Sequence, residues 1–209
     1  FEDAPSFDAR ASAYLLAAYV NDFPFNATFV CVVDPGVGGD RVPVSIKAGS
    51  QWFVGPDNGL FEIILRQRKD CTPWRITWRP EALSASFHGR DLFSPVAAML
   101  ANNIDPATLA EPFKPTRLEA WPDDLAEVIY IDGFGNAMTG IRAGNLAGST
   151  EIEVGGKRLS SAQTFSKNAI GQAFWYENAN GLVEISVNQG RADHEFGLKV
   201  GNSLIIHTK

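Results

Sequence analysis

Four polar turns carry the residue types that could do chemistry. VVDPGVGGDR, residues 32–41, leads an apolar run to one carboxylate, Asp34, and through a glycine-rich turn to one guanidinium, Arg41. FHGRD, residues 87–91, offers His88, one of three histidines in the chain, beside Arg90 and Asp91. GPDNGLF, residues 55–61, brings Asp57 and Asn58, and IDGFGN, residues 131–136, ends a second run at Asp132, with Phe134 and Asn136 flanking Gly135.

Three readings follow from these residues. Asp34, Asp57, His88 and Asp91 could gather a divalent metal for phosphoester hydrolysis, although only one histidine is available and no ligand spacing is recognisable. Asp34, Arg41 and His88 could instead form a metal-free polar set that holds water against an electrophile. The third reading is a ligand site without chemistry, in which Phe134 stacks on a flat heterocycle and Asn136 hydrogen-bonds it. Neither GxGxxG after a strand nor GxxxxGK(S/T) is present, so the usual nucleotide fingerprints are absent.

The elements that must position these turns are legible from periodicity. Phe29–Asp34 is β-branched and nearly uninterrupted, which predicts a strand buried on both faces and closed by Pro35. Asp8 is placed to cap a helix through ARASAYLLAAYVNDF that Pro24 closes. VPVSIKAG and SQWFVG read as a hairpin about Ala48–Ser50, and LFEIILRQR as a helix that Asp57 or Asn58 could cap. RITWRPEAL reads as a strand and turn. Ser94 and Pro95 mark the start of a helix VAAMLANN, which leaves FHGRD as a loop. Pro112, Pro115 and Pro122 disfavour regular structure across Glu111–Asp124. Beyond them EVIYID, STEIEVGG, LVEISV and SLIIHT predict an antiparallel sheet or small barrel. The expected division is an α/β domain over 1–115, a linker over 116–124 and a β-rich domain over 125–209.

Composition narrows the partners. The chain has 209 residues, 45% hydrophobic and 20% charged, with a formal net charge of -6 and no basic cluster, which disfavours nucleic acid. Cys31, in the first buried strand, and Cys71, in a polar turn, suggest neither a zinc site nor a disulfide framework, so a cytoplasmic location is expected. No apolar stretch approaches a membrane span. The acidic N-terminus is unlike a signal peptide, and the absence of a starting Met suggests that the chain begins inside a longer product.

Taken together and in order, VVDPGVGGDR, FVGPDNGLF, FHGRDLFSPVAA and IDGFGN resemble the S-adenosylmethionine hydrolases, also called S-adenosylmethionine hydroxide adenosyltransferases, relatives of the fluorinating and chlorinating enzymes. The resemblance implies an N-terminal α/β domain with a Rossmann-like sheet and a C-terminal antiparallel β-barrel-like domain. It implies a homotrimer whose substrate lies between the N-terminal domain of one subunit and the C-terminal domain of the next. S-adenosyl-L-methionine would be the substrate, with no cofactor and no metal, and water or hydroxide attack at the ribose C5′ would give adenosine and L-methionine. Asp34, Arg41 and His88 fall on the family's water-handling positions. Asp132 would meet the methionine amine, Phe134 and Asn136 the adenosine, Asn188 the adenine region and Phe165 its ring face.

This sequence departs from the family pattern at three places. No Thr-Asp-Phe-Gly strand, whose Asp holds the ribose hydroxyls, precedes Phe1, so the sheet is expected to lack its first strand. Gly140 follows Thr139 where Asn is common. Ala179 replaces a Ser that contacts the methionine carboxylate, leaving Asn178 or backbone groups to compensate. The alternatives are a halogenase using the same substrate and a protein that binds adenosine or S-adenosylmethionine without turnover. Asp34 and Arg41 oppose the halogenase, because a carboxylate repels halide.

Overall fold

A computed structural model describes residues 4–208. The chain divides into two compact units, one spanning Ser6–Glu119 and the other formed mainly from Ala120 onward.

The first unit begins with helix α1, Ala9–Tyr19, where Asp8 accepts from the Ala11 amide at 2.9 Å and satisfies a free donor of the first turn. Strands β1 (Thr28–Val30), β2 (Pro43–Ala48), β3 (Gln51–Pro56), β4 (Cys71–Ile76) and β5 (Ala110–Pro112) form one sheet in the order β1-β3-β2-β4-β5. β2 and β3 make the expected antiparallel hairpin, with Gly49 in its turn at φ 59°. Only β1 and β3 pair in parallel, so the mixed α/β class holds while the described strands do not form a Rossmann-like parallel order.

Helix α2 spans Glu62–Gln67 and helix α3 Ser94–Ala101. Trp52 and Val54 of β3 join Leu92, Phe93, Val96 and Leu100 in an apolar cluster on the α3 side. Phe53, between them in the strand, stacks on Phe29 at 4.9 Å and meets Phe61 at the start of α2. Alternation along one strand thus supplies both layers.

Several local expectations are corrected. The strand expected over Phe29–Asp34 stops at Val30, which is 43% exposed because, among the described strands, β1 pairs with β3 alone. Cys71 opens β4 opposite Ala48 instead of lying in a turn, and RITWRPEAL contributes only Arg75 and Ile76 to that strand. Pro112 lies in a strand, tolerated because β5 is the other edge of the sheet. FHGRD is helical from His88 onward: a π turn over Gly89–Phe93 runs directly into α3, and the Ser94 hydroxyl donates back to the Gly89 carbonyl at 2.8 Å instead of capping. Both cysteines are free, and burial pushes the Cys31 thiol up to about 12.

The second unit contains β6 (Leu125–Ile131), β7 (Ala137–Arg142), β8 (Glu151–Val154), β9 (Lys157–Leu159), β10 (Ala173–Glu177), β11 (Leu182–Val187), a short helix α4 (Ala192–Phe196) and β12 (Ile205–His207). The ladders between these strands are antiparallel. They form a four-stranded sheet, β10-β11-β7-β6, and a three-stranded sheet, β12-β8-β9, so the described strands form no closed barrel. Val128, Ile141, Val183 and Ile185 of the larger sheet share a core with Ile152, Val154 and Leu159 of the smaller. Gly140 is required by packing, since a Cβ there would stand 2.6 Å from that of Leu125 on the neighbouring strand.

Candidate active site

In the first unit the structure brings Asp34, Arg41 and His88 together. The chain leaves β1 through Cys31, whose amide still donates to Val54 at 2.9 Å, and Gly55 of β3 permits this approach because a Cβ there would lie 2.3 Å from the Cys31 carbonyl oxygen. The 34–41 loop then turns at Gly38, φ 78°, where a Cβ would lie 2.6 Å from the Ala85 carbonyl oxygen. That approach sets the loop against the segment that leads into His88.

Arg41 is the centre of the cluster. Its Nε donates to both Asp34 oxygens at 3.0 and 2.9 Å, and its Nη2 donates to Asp34 Oδ2 at 2.5 Å. The same Nη2 lies 2.8 Å from His88 Nδ1, and the guanidinium sits over the Phe93 ring at 5.2 Å. The Asp34 and Arg41 side chains are only 4% and 10% exposed, so the pair is shielded from solvent. A guanidinium has donors only. His88 Nδ1 must therefore accept, which makes the imidazole neutral with its proton on Nε2. Burial and then the Arg41 charge lower the His88 pKa, against a smaller opposing effect of Asp34, in agreement with that neutral form.

The four-residue metal set does not assemble. Asp57 accepts from the Thr116 amide at 3.3 Å, and Asp91 is held by Arg90 at 2.6 Å and by the Ser84 amide at 3.1 Å. Among the described residues no group of three or more His, Cys, Asp and Glu side chains is arranged to hold a metal ion. Asn58 caps nothing on α2; its side-chain amide donates to the Val33 carbonyl at 2.7 Å and ties the Gly55–Phe61 turn to the segment just before Asp34.

A second constellation lies within the other unit, in a hollow of about 630 Å³. Asp132, Phe134, Asn136 and Phe165 line it, as do Tyr176, Glu184, Gln189 and Arg191, which sequence reasoning missed. The Asp132 turn is self-supporting: Oδ1 accepts from the Phe134 and Asn136 amides, and Oδ2 from Asn136 Nδ2, each at 2.9 Å. This leaves Phe134 80% exposed, as a ring presented to the hollow and not a core side chain. Arg191 donates to the Gly133 carbonyl at 3.0 Å and to Asp193 at 2.8 Å, pinning the turn from the other side. Gly135 sits at φ 83°, a backbone conformation that favours glycine, and a Cβ there would also crowd the Arg191 Cβ at 2.8 Å.

Two expected contact residues stand elsewhere. Asn178 lines a separate hollow; its Oδ1 accepts from the Asn180 and Leu182 amides at 3.0 Å, which makes it a turn former. The Asn188 amide donates to the Asn168 carbonyl at 2.8 Å and so braces the loop after Phe165 instead of lining the hollow. The missed residues had one readable signal. Glu184 interrupts LVEISV, a strand buried throughout, and a lone charge in such a run needs a reason.

The structure thus holds a carboxylate–guanidinium–imidazole cluster in the mixed α/β unit and an aromatic hollow lined by carboxylates in the β unit. The family model described as the SAM hydroxide adenosyltransferase N-terminal domain matches residues 1–110, and the corresponding C-terminal domain model matches residues 126–205. The chain belongs to this family. It is 37% identical over 214 residues to the (R)-S-adenosyl-L-methionine hydrolase of Thermus thermophilus, covering 94% of this chain and 82% of that protein. A protein of the same name from Salinispora arenicola is 35% identical over 216 residues, covering 96% and 82%. Among solved structures, an uncharacterized conserved protein from Thermotoga maritima matches with a TM-score of 0.88 at 26% identity, covering 100% of this chain and 87% of that one. A conserved hypothetical protein from Thermus thermophilus matches at 0.77 and 33% identity, covering 97% and 83%.

Proposed function

We propose that the protein hydrolyses S-adenosyl-L-methionine to adenosine and L-methionine. The observation that carries this reading is the Arg41 guanidinium, which donates to the Asp34 carboxylate and to His88 Nδ1 at once. The name of its relatives specifies the R form of the sulfonium, and we extend that preference to this chain.

The chemistry suits these residue types. A sulfonium leaves as neutral methionine sulfur, so no general acid is needed, only an oriented nucleophile in a site from which bulk water is excluded. Oxygen attacks the ribose C5′ as the C5′–S bond breaks. Water as nucleophile releases one proton overall, and hydroxide releases none. With Nδ1 occupied by Arg41, His88 offers Nε2–H as a donor to the nucleophile oxygen. Acceptance of a proton at Nδ1 would require His88 to part from Arg41, which favours entry as hydroxide or proton loss to solvent. Asp34 fixes Arg41, and Arg41 supplies the positive charge that favours hydroxide.

The substrate is assigned to Asp132 at the methionine amine and to Phe134, Phe165 and Asn136 at the adenosine. Asp132 retains acceptor capacity beyond its three internal hydrogen bonds, which supports the first assignment. The assembly is a homotrimer in this reading, with the two constellations serving one substrate from different copies; light scattering at monomer mass would contradict it.

Incubation with S-adenosyl-L-methionine, followed by chromatography of the nucleoside product, tests the reaction. Adenosine should accumulate, and added chloride or fluoride should not replace it with a halogenated nucleoside. Folded protein that forms no adenosine above the uncatalysed background would overturn the hydrolase reading and leave binding without turnover.

A further inference from the structure

Glu184 has a use that the attacking-water chemistry does not explain. It lies on β11 between Val183 and Ile185, is 2% exposed, and its two oxygens are taken by uncharged donors instead of a cation. The Tyr176 hydroxyl donates to Oε1 at 2.5 Å and Asn178 Nδ2 to Oε2 at 2.9 Å. A buried carboxylate held in this way is costly to desolvate, and an apolar residue would serve a purely structural strand better.

Glu184 and Tyr176 both line the hollow that carries Asp132 and Phe134. Tyr176 is adjacent to Glu184 across the β10/β11 ladder, so the hydroxyl is reached from a fixed strand position. The Tyr176 ring in turn contacts Phe165 edge-on at 5.4 Å, and Phe165 meets Phe174 in the same manner at 5.1 Å. Phe165 itself stands on a short helical turn, Phe165–Lys167, outside the sheet. A ring on such a turn has little of its own to set its tilt, and edge-to-face geometry transmits the orientation of its neighbour.

We infer that Glu184 is a positioning residue for the substrate's flat ring: it fixes the Tyr176 hydroxyl and, through the Tyr176 ring, sets the Phe165 face on the wall of the hollow. This rests on the assignment of adenosine to that hollow. The Tyr176 hydroxyl is the link, and it stays a donor because burial first and Glu184 second push the phenol well above its usual range.

Adenosine affinity by calorimetry and S-adenosyl-L-methionine kinetics test the proposal on the full chain. Tyr176→Phe keeps the ring and removes the link, so adenosine binding should weaken roughly tenfold, the equivalent of about 1.4 kcal/mol. KM should rise in parallel, and kcat should change far less. Glu184→Leu should do the same, and combining the two should add little. Glu184→Gln keeps an acceptor for the hydroxyl and should recover most of the affinity that Glu184→Leu loses; a role in folding alone would move melting temperature without this pattern. Wild-type affinity in folded Tyr176→Phe would overturn the proposal, even if Glu184→Leu fails to fold. Adenosine binding by the wild type with no effect of Tyr176→Phe defeats only the positioning role, whereas no binding and no turnover by the wild type defeats the functional reading as well.

Discussion

The two constellations are built on opposite principles. In the first unit a charged group stands at the centre: Arg41 holds Asp34, on a loop, and His88, at the start of the helical turn that leads into α3, and its reach sets the geometry. In the second, the Asp132 turn closes on its own backbone amides, and the carboxylate of Glu184 is met by a phenol and an amide. A charge-centred cluster suits an event in which charge changes, as when a sulfonium is discharged by hydroxide. An aromatic wall whose charged groups are already held by fixed hydrogen bonds suits recognition, in which shape and hydrogen-bond edges matter. The difference teaches that substitutions in the first should act mainly on turnover and those in the second mainly on affinity.

The hardest test of that contrast is Arg41→Ala, which removes the hub. Turnover should fall by roughly 10²–10³-fold, the range found when one preorganised donor to a developing charge is lost. His88→Ala should cost on the order of 10²-fold. In both variants S-adenosyl-L-methionine affinity, measured separately by calorimetry, should change much less. A loss of affinity as large as the loss of turnover would erase the distinction between the two regions.

A pH profile sharpens the same point. Activity should persist below the ordinary histidine value of about 6.5 and then fall as His88 takes a proton at Nδ1 and repels Arg41. The sign follows from the lowered pKa: the neutral form is favoured in the folded protein, so protonation is deferred to lower pH. In Arg41→Ala the imidazole titration, followed by NMR, should move upward, because one of the two leading causes of the lowering is gone. Burial remains, so the return should be incomplete. A titration unmoved by this substitution would show that Arg41 does not govern His88.

Gly38→Ala should have a smaller effect and tests how the first cluster is assembled. The new Cβ would meet the Ala85 carbonyl oxygen at 2.6 Å in a left-handed backbone, at a cost of about 1–3 kcal/mol in stability. Melting temperature and turnover should fall together, since the contact that yields is the one that places His88 beside Arg41.

What the sequence made legible follows the range of the forces involved. The Asp8 cap and the β2/β3 hairpin are set by residues within a few positions of one another, and both were readable. Asp34, Arg41 and His88 were nominated by residue type and motif, but the Nη2 to Nδ1 contact, which decides the tautomer, joins positions 47 apart. The π turn was hidden because Ser94 and Pro95 read as the start of a new helix, whereas the Ser94 hydroxyl bonds backward to the Gly89 carbonyl. Tyr176 and Glu184 meet only through antiparallel pairing, and period-2 alternation says which face a residue takes but not which strand lies beside it. The choice between an antiparallel sheet and a small barrel was hidden for the same reason: strand count, turns and antiparallel pairing were legible, whereas the division of the described strands into two sheets depends on pairing at long range.

The smallest expected effect separates recognition from folding inside the second region. Phe134 is 80% exposed and is held through its backbone amide by Asp132, so truncating the side chain leaves that turn intact. Phe134→Ala should weaken adenosine binding by about 1 kcal/mol, the lower end of what one base–aromatic contact contributes, and should leave the melting temperature within about a degree. Phe165→Ala is the contrasting case, because its ring also packs on Phe174 and Tyr176 and its loss should lower both affinity and melting temperature. If the two variants lose affinity and stability in equal proportion, the loss at Phe134 acts through folding and the exposed ring is not a recognition surface. If Phe134→Ala loses affinity only, the turn and the ring are independent parts, and the second region recognises through a side chain that folding does not need.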